Sequence, residues 1–240
     1  MGRIVLVTGT DTGVGKTIVS AWLASLTSQS QRVALVKAVQ TGADPVVDGD
    51  EAFYRAALEG HTITTTTLAT FPEPLAPSIA ARRAGRSVRA QDIAESCIRI
   101  AEDHDLTIVE GSGGLMVPID EDTNFADFAG TLDADLVLVI RPGLGTLNHT
   151  VLTLEAAFTR NLVIEMLVCN GLAAKPRILE IENIRFLRSR YPEIPLITLR
   201  RLARASLHRL SLLRPQILGD PPPLMRDSTL ERMELPRPHS

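Results

Sequence analysis

The chain has 240 residues, of which 45% are hydrophobic and 22% charged, and its formal net charge is −3 at pH 7. These values are typical of a compact, water-soluble protein and argue against a fibrous or largely disordered class. A chain of this length can bury a sizeable core, so we expect one α/β domain over 1–212. The proline-rich stretch 213–240 is predicted to form a poorly ordered tail.

Five short apolar runs resemble buried strands, and helix-like segments separate them. The runs are 3–8, 32–39, 106–111, 135–140 and 163–170, and the helical segments are 16–28, 50–59, 90–104, 147–160 and 177–190. This alternation predicts a doubly wound, mainly parallel α/β sheet with helices on both faces. The "GVGKT" (13–17) that follows the first run makes the expected fold P-loop NTPase-like. The segment 61–88 contains four consecutive threonines and three prolines, so we expect a loop there, followed by a short helix.

The chain shows no signal for export, membrane insertion or nucleic-acid binding. Its start, "MGRIVLVTG", leaves no room for a signal peptide, and no apolar run reaches membrane-spanning length. Cys97 and Cys169 lie far apart and outside any C-x-x-C pattern, which favours a reduced, cytoplasmic setting. The excess of arginine in 175–214 has little aromatic interleaving, so we interpret it as solvated helix surface.

The first apolar run leads into a loop that looks like a phosphate-binding loop. The stretch "VTGTDTGVGKT" (7–17) ends in Gly-Lys-Thr, but Gly9 stands one position earlier than the pattern G-x-x-x-x-G-K-[ST] requires. A helix that begins near Lys16 aims its backbone N–H groups at a phosphate. We therefore expect Lys16 to reach the β- and γ-phosphates of a nucleotide, and the Thr17 hydroxyl to bind magnesium.

Further polar residues follow the predicted strands at the edge where open α/β sheets bind ligands. Lys37, near the end of the second run, can neutralise a phosphate or stabilise a carboxylate-like intermediate, and Thr41 begins a loop that can approach a substrate. Glu110, followed by "GSGG", and Asp50, ahead of a helix, are candidate magnesium ligands. Three acids in the same loop are alternatives to Asp50: Asp44, Asp48 and Glu51.

Six motifs together resemble those of one enzyme family. They are "GTDTGVGKT" (9–17), "KAVQTG" (37–42), "EPLAPSIAA" (73–81), "VEGSGGLMVPI" (109–119), "NFADFA" (124–129) and "GLGTLNHTVLT" (143–153). Their order and spacing over about residues 3–170 are similar to those of dethiobiotin synthetases. The loop of that family resembles G-T-D-T-x-V-G-K-T, which accounts for the position of Gly9.

The resemblance implies an ATP- and Mg²⁺-dependent reaction. In that family 7,8-diaminononanoate takes up CO2 as a carbamate, ATP phosphorylates the carbamate, and the second amine closes a ureido ring to give dethiobiotin, ADP and phosphate. The resemblance makes Lys37, Lys16 and Thr12 the catalytic residues, because negative charge accumulates where the carbamate meets the γ-phosphate. It places Mg²⁺ on Thr17, Asp50 and Glu110.

The same resemblance implies the binding residues. The nucleotide contacts are Asp11, Thr12, Gly13, Val14, Gly15, Lys16 and Thr17, with Asn170 at the adenine. Thr41 would lie beside the diamine. The carboxylate end of the substrate would be held by Thr146, Leu147 and Asn148 of a neighbouring subunit, through backbone N–H groups at a helix start. A complete site therefore implies a homodimer, and no nucleic-acid or membrane partner is expected.

The chain departs from the family pattern at three places, and two other families compete. Ala38 replaces a common proline, Glu165 replaces a common glycine in a buried strand, and "EIPLITLRR" (193–201) replaces a glycine-glutamate-isoleucine-proline stretch. A ParA/MinD-type, partner-regulated ATPase would carry a signature lysine where Asp11 stands. A cobyrinate-type amide synthetase would normally add a glutaminase domain with a nucleophilic cysteine, and no cysteine follows residue 170.

Overall fold

The computed structural model describes residues 1–42 and 49–203, and residues 209, 210, 213, 215–218, 220 and 222–225 of the C-terminal segment. Its strands are β1 (Arg3–Gly9), β2 (Val33–Thr41), β3 (Ile63–Phe71), β4 (Leu106–Glu110), β5 (Asp135–Ile140), β6 (Ile164–Leu172), β7 (Leu196–Arg200) and β8 (Gln216–Leu218). Its helices are α1 (Lys16–Thr27), α2 (Asp50–Ala57), α3 (Pro77–Arg83), α4 (Ala90–Glu102), α5 (Phe125–Thr131), α6 (Thr146–Phe158) and α7 (Ile178–Arg190). None of the helices described is long and apolar enough to cross a bilayer.

The strands form one sheet in the order β3-β2-β4-β1-β5-β6-β7-β8. Strands β1 to β7 pair in parallel, and β8 pairs antiparallel with β7 at one edge. This topology confirms the predicted doubly wound α/β fold. Because β1 lies between β4 and β5, the loop that follows it opens into a crevice at the carboxyl edge, where folds of this class bind ligands.

Both faces of the sheet are buried, which explains why its central strands are continuously apolar. Along β1, Ile4 and Leu6 pack on the side covered by α3, α4 and α5, whereas Val5 and Val7 pack with α1 and α2. Successive side chains of a strand point to opposite faces, so one strand serves two cores. The result is a rigid base whose carboxyl edge carries the polar residues.

The structure overturns the loop predicted at the start of 61–88. Strand β3 occupies Ile63–Phe71 and pairs with β2 along its whole length. The β-branched threonines suit an edge strand that is only partly buried. The three prolines, Pro72, Pro74 and Pro77, all lie after the strand and so do not interrupt it. The short helix expected after the loop is present as α3.

Several described residues of the C-terminal segment pack against the sheet, while the order of the tail 213–240 as a whole stays a prediction. Strand β8 extends the sheet, and Leu213 and Met225 are buried in the core beneath α1. The carboxylate of Glu165 accepts hydrogen bonds from the Leu224 backbone N–H and from Arg3, each at 2.6 Å. These partners offset the cost of a charge in a buried strand. Residues 226–240 lie outside the described part of the chain.

Candidate active site

The loop between β1 and α1 has the backbone shape of a phosphate-binding loop. Gly13 and Gly15 have φ values of +74° and +96°, in the left-handed region that favours glycine. Helix α1 begins directly after this turn, so its first N–H groups have no partners within the helix. The Lys16 ammonium folds back and donates to the Asp11 carbonyl at 3.1 Å. The loop thus combines N–H groups, a helix N-terminus and a cation around one concavity.

Lys16 has a lower pKa than an exposed lysine. Its side chain is buried, and burial lowers its pKa to about 8, an effect that the negative charge of Glu110 only partly offsets. The nearby Lys37 ammonium lowers the pKa further. An anion that enters the loop would favour the charged form of Lys16.

The pKa of Lys37 is shifted in the opposite direction, above its usual value. It lies beside Glu110 on the neighbouring strand, and its Nζ is 2.7 Å from Glu110 Oε1 and 2.6 Å from Asp50 Oδ2. It also donates to the Gly111 carbonyl at 3.2 Å. Burial disfavours the ammonium, but the two carboxylates outweigh that effect and raise the pKa of Lys37. Lys37 is therefore a fixed positive charge at physiological pH.

The three oxygen-bearing side chains predicted to hold magnesium are linked through Glu110 and Lys37. Thr17 Oγ1 donates to Glu110 Oε1 at 3.0 Å, and Asp50 and Glu110 share the Lys37 ammonium. A hydroxyl and two carboxylates are the hard oxygen donors that suit Mg²⁺. Within the described residues, no group of three or more His, Cys, Asp or Glu side chains is placed to hold a metal ion. The donor set fits a magnesium ion that arrives with a nucleotide.

The alternatives to Asp50 separate into two kinds. Glu51, the next residue of α2, has its carboxylate 3.9 Å from the Arg55 guanidinium. Asp44 and Asp48 lie outside the described residues. Of the acids that the structure describes in this region, Asp50 is the one that contacts Lys37.

A cavity of about 460 Å³ joins these residues. It is lined by Thr12, Gly13, Gly15, Lys16 and Thr17 of the loop and by Lys37, Thr41, Asp50 and Glu110. Because residues from β1, β2 and β4 meet at one sheet edge, the strand-end argument placed them together correctly. Gln40, Phe53 and Ser112 also line the cavity, although the sequence analysis did not name them.

The residues expected at the adenine and at the substrate carboxylate lie outside this cavity. Asn170 Nδ2 donates to the Val14 carbonyl at 3.0 Å, so it contacts the phosphate-binding loop itself. Thr146 is buried at the start of α6, and its hydroxyl has no hydrogen-bond partner among the described residues. Leu147 is half-buried and Asn148 is exposed.

Two contacts at the site were missed by the sequence analysis. The Tyr54 hydroxyl donates to Glu110 Oε2 in the core, and burial, together with the Glu110 charge, raises the pKa of Tyr54 well above its usual value. Arg141, at the end of β5, lies 3.5 Å from Asp11 Oδ2. The i, i+4 spacing of Asp50 and Tyr54 on a helix could have indicated the first, and the strand-end position could have indicated the second.

Comparison with known proteins identifies the family. A family model described as an AAA domain matches residues 3–205. ATP-dependent dethiobiotin synthetase BioD of Streptomyces coelicolor is 47% identical over 176 residues, which cover 72% of this chain and 73% of that protein. The chain belongs to the dethiobiotin synthetase family. The dethiobiotin synthetase of Mycolicibacterium vanbaalenii is 44% identical over 186 residues, covering 75% of this chain and 80% of its own.

Membership of the dethiobiotin synthetase family confirms the resemblance drawn from the six motifs and the prediction of an ATP-dependent ligase. Solved structures share the fold with this synthetase-family chain at much lower identity. A ParA family ATPase from Chlorobium tepidum has a TM-score of 0.55 at 14% identity and covers 97% of each chain. Apo McdA of Cyanothece has a TM-score of 0.57 at 15% identity and covers 89% of this chain and 92% of its own. These likenesses show the fold alone.

Proposed function

We propose that this chain closes a ureido ring, converting 7,8-diaminononanoate and CO2 to dethiobiotin at the expense of ATP. The observation that best supports the proposal is the buried Lys37 ammonium, held between Glu110 and Asp50 in the same cavity as Lys16. Two anions, a carbamate and a γ-phosphate, must approach each other in this reaction. Two lysines behind the meeting point reduce that repulsion.

The chemistry follows in three steps. One amine of the diamine attacks CO2, forms a carbamate and releases a proton. A carbamate oxygen then attacks the γ-phosphorus, and ADP leaves, which gives a carbamic–phosphoric anhydride. The second amine attacks the carbonyl carbon, expels phosphate, loses a proton and closes the ring. Lys37 stabilises the carbamate oxygens, Lys16 stabilises the transferred phosphoryl group, and Thr12 donates a hydrogen bond beside it.

Magnesium supplies further neutralisation of phosphate charge when it is bound with ATP. Thr17, Asp50 and Glu110 would hold it: the two carboxylates contact the Lys37 ammonium, and the Thr17 hydroxyl donates to Glu110. With the metal held in this way, the Lys37 ammonium would neutralise the carbamate. Loop residues from Asp11 to Gly15 hold the phosphates through their backbone, and Asn170 lies against that loop for contact with the base.

The substrate carboxylate requires a second subunit in this proposal. Thr41 lies at the cavity and would contact the diamine. Thr146, Leu147 and Asn148 lie at the start of α6 and outside the cavity of their own chain, which supports contact with the site of a partner. We place the homodimer in the cytoplasm, because Cys97 and Cys169 are free thiols and thiols stay reduced there.

The test is formation of labelled product. The purified protein is incubated with ATP, Mg²⁺, ¹³C-bicarbonate and 7,8-diaminononanoate, and dethiobiotin is measured by mass spectrometry. We expect label in dethiobiotin only when both ATP and the diamine are present. Lys37→Ala should reduce product to background, whereas Lys175→Ala, at an exposed lysine, should leave turnover unchanged. Hydrolysis of ATP without labelled dethiobiotin would overturn the proposal.

A further inference from the structure

Two side chains of helix α2 contact the charged pair Lys37 and Glu110. Asp50 and Tyr54 are four residues apart, so they lie on the same face of the helix. Asp50 contacts Lys37, and the Tyr54 hydroxyl donates to Glu110 Oε2. Lys37 and Glu110 face each other across neighbouring strands. One helix face thus holds both members of the pair.

The hydrogen bond from Tyr54 determines which oxygen of Glu110 faces the phosphate-binding loop. Tyr54 is fully buried and occupies Oε2, whereas Oε1 accepts from Thr17 at 3.0 Å and from Lys37 at 2.7 Å. The last torsion of a glutamate is broad, so its carboxylate plane is set by hydrogen-bond partners. Without the hydroxyl, Oε2 would be buried without its donor and the carboxylate would be free to rotate.

We propose that Tyr54 is a positioning residue that acts through Glu110 to fix the magnesium–nucleotide site. This inference rests on the proposed function, because Glu110 is a magnesium ligand there. Residues that orient a metal ligand typically contribute a factor of about 10 to 100 in metal affinity. Loss of the Tyr54 hydroxyl should therefore weaken binding of the metal to the nucleotide-bound protein.

The experiment compares two tyrosine variants by direct metal binding. Mn²⁺ replaces Mg²⁺ and is titrated into the full chain saturated with ADP, and free Mn²⁺ is counted by electron paramagnetic resonance. Tyr54→Phe should weaken Mn²⁺ binding about tenfold or more. Tyr191→Phe is the matched control, because Tyr191 is 4% exposed and its hydroxyl has no hydrogen-bond partner in the described structure. Wild-type affinity in Tyr54→Phe would overturn the proposal.

Glu110→Gln separates this inference from the proposed function. If Glu110→Gln leaves Mn²⁺ binding unchanged, the metal role of Glu110 fails and the role of Tyr54 fails with it. If Glu110→Gln weakens binding and Tyr54→Phe does not, only the inference about Tyr54 fails. The double variant should bind Mn²⁺ as Glu110→Gln does, and a further loss would contradict action through Glu110. If Tyr54→Phe alone does not fold, the double variant is used in its place, because Glu110→Gln removes the charge that the missing hydroxyl would leave without a donor. Ring closure is measured separately.

Discussion

Raising the pH should weaken nucleotide binding through Lys16. Burial lowers the pKa of Lys16 to about 8, whereas the pKa of Lys37 lies above its usual value. A bound phosphate favours the protonated lysine, so above pH 8 the free protein must take up a proton to bind. At about pH 9 roughly one-tenth of Lys16 is protonated, and affinity should be about tenfold lower than at pH 7. Lys37 remains charged over this range.

The assay is calorimetric titration of Mg²⁺–ADP at several values between pH 7 and pH 9. The wild-type affinity should be nearly constant up to pH 8 and then fall, while Lys16→Met should bind weakly at every pH. A wild-type affinity that stays constant up to pH 9 would refute the reasoning, because it would place Lys16 near the pKa of an exposed lysine. Lys16 affects folding stability with the opposite dependence on pH. In the unliganded protein the unfolded chain binds more protons, so Lys16 should make stability rise from about pH 8 to about pH 10.5.

Three substitutions test the remaining contacts. Lys37→Met leaves the buried Glu110 and the partly exposed Asp50 without their cation and should lower the free energy of unfolding by about 3–5 kcal/mol in urea titration. A loss below about 1 kcal/mol would contradict that. Gly15→Ala should abolish ADP binding in calorimetry, because its Cβ would lie 2.0 Å from the Asn170 amide nitrogen at a φ of +96°. Near-normal binding would show that the loop can shift to accommodate the methyl group. Glu165→Ala removes the acceptor of the Leu224 N–H and should expose the C-terminal segment to limited proteolysis, and unchanged cleavage would mean that the apolar contacts suffice.

The sequence predicts the centre of the sheet better than its edges. Central parallel strands are covered on both faces, so they appear as apolar runs, and β1, β2, β4, β5 and β6 lie close to their predicted positions. The edge strand β3 is rich in threonine and half-exposed, so hydrophobicity does not mark it. The short β7 and β8 have the same difficulty, because their positions depend on pairing with distant residues.

The placement of the site follows a similar division. Lys16 and Thr17 follow β1, and Glu110 ends β4, so topology brings them to one edge. Lys37 lies within β2 and joins them because it pairs with Glu110. Tyr54 is different, because its spacing from Asp50 indicates only a shared helix face, and its contact with Glu110 depends on how α2 is docked. The substrate roles of 146–148 stay predictions, since they depend on a second subunit.

The burial of the C-terminal segment has a consequence for biosynthesis. Val5 and Val7 of the first strand share a core with Leu213 and Met225, and Arg3 binds the same carboxylate as the Leu224 N–H. During synthesis the phosphate-binding loop therefore emerges well before Leu213 and Met225, and the face beneath α1 stays incomplete until those two residues have left the ribosome. Contacts so distant in sequence slow folding and leave apolar surface open meanwhile. Chaperone demand should therefore depend on how soon Leu213 and Met225 reach this core.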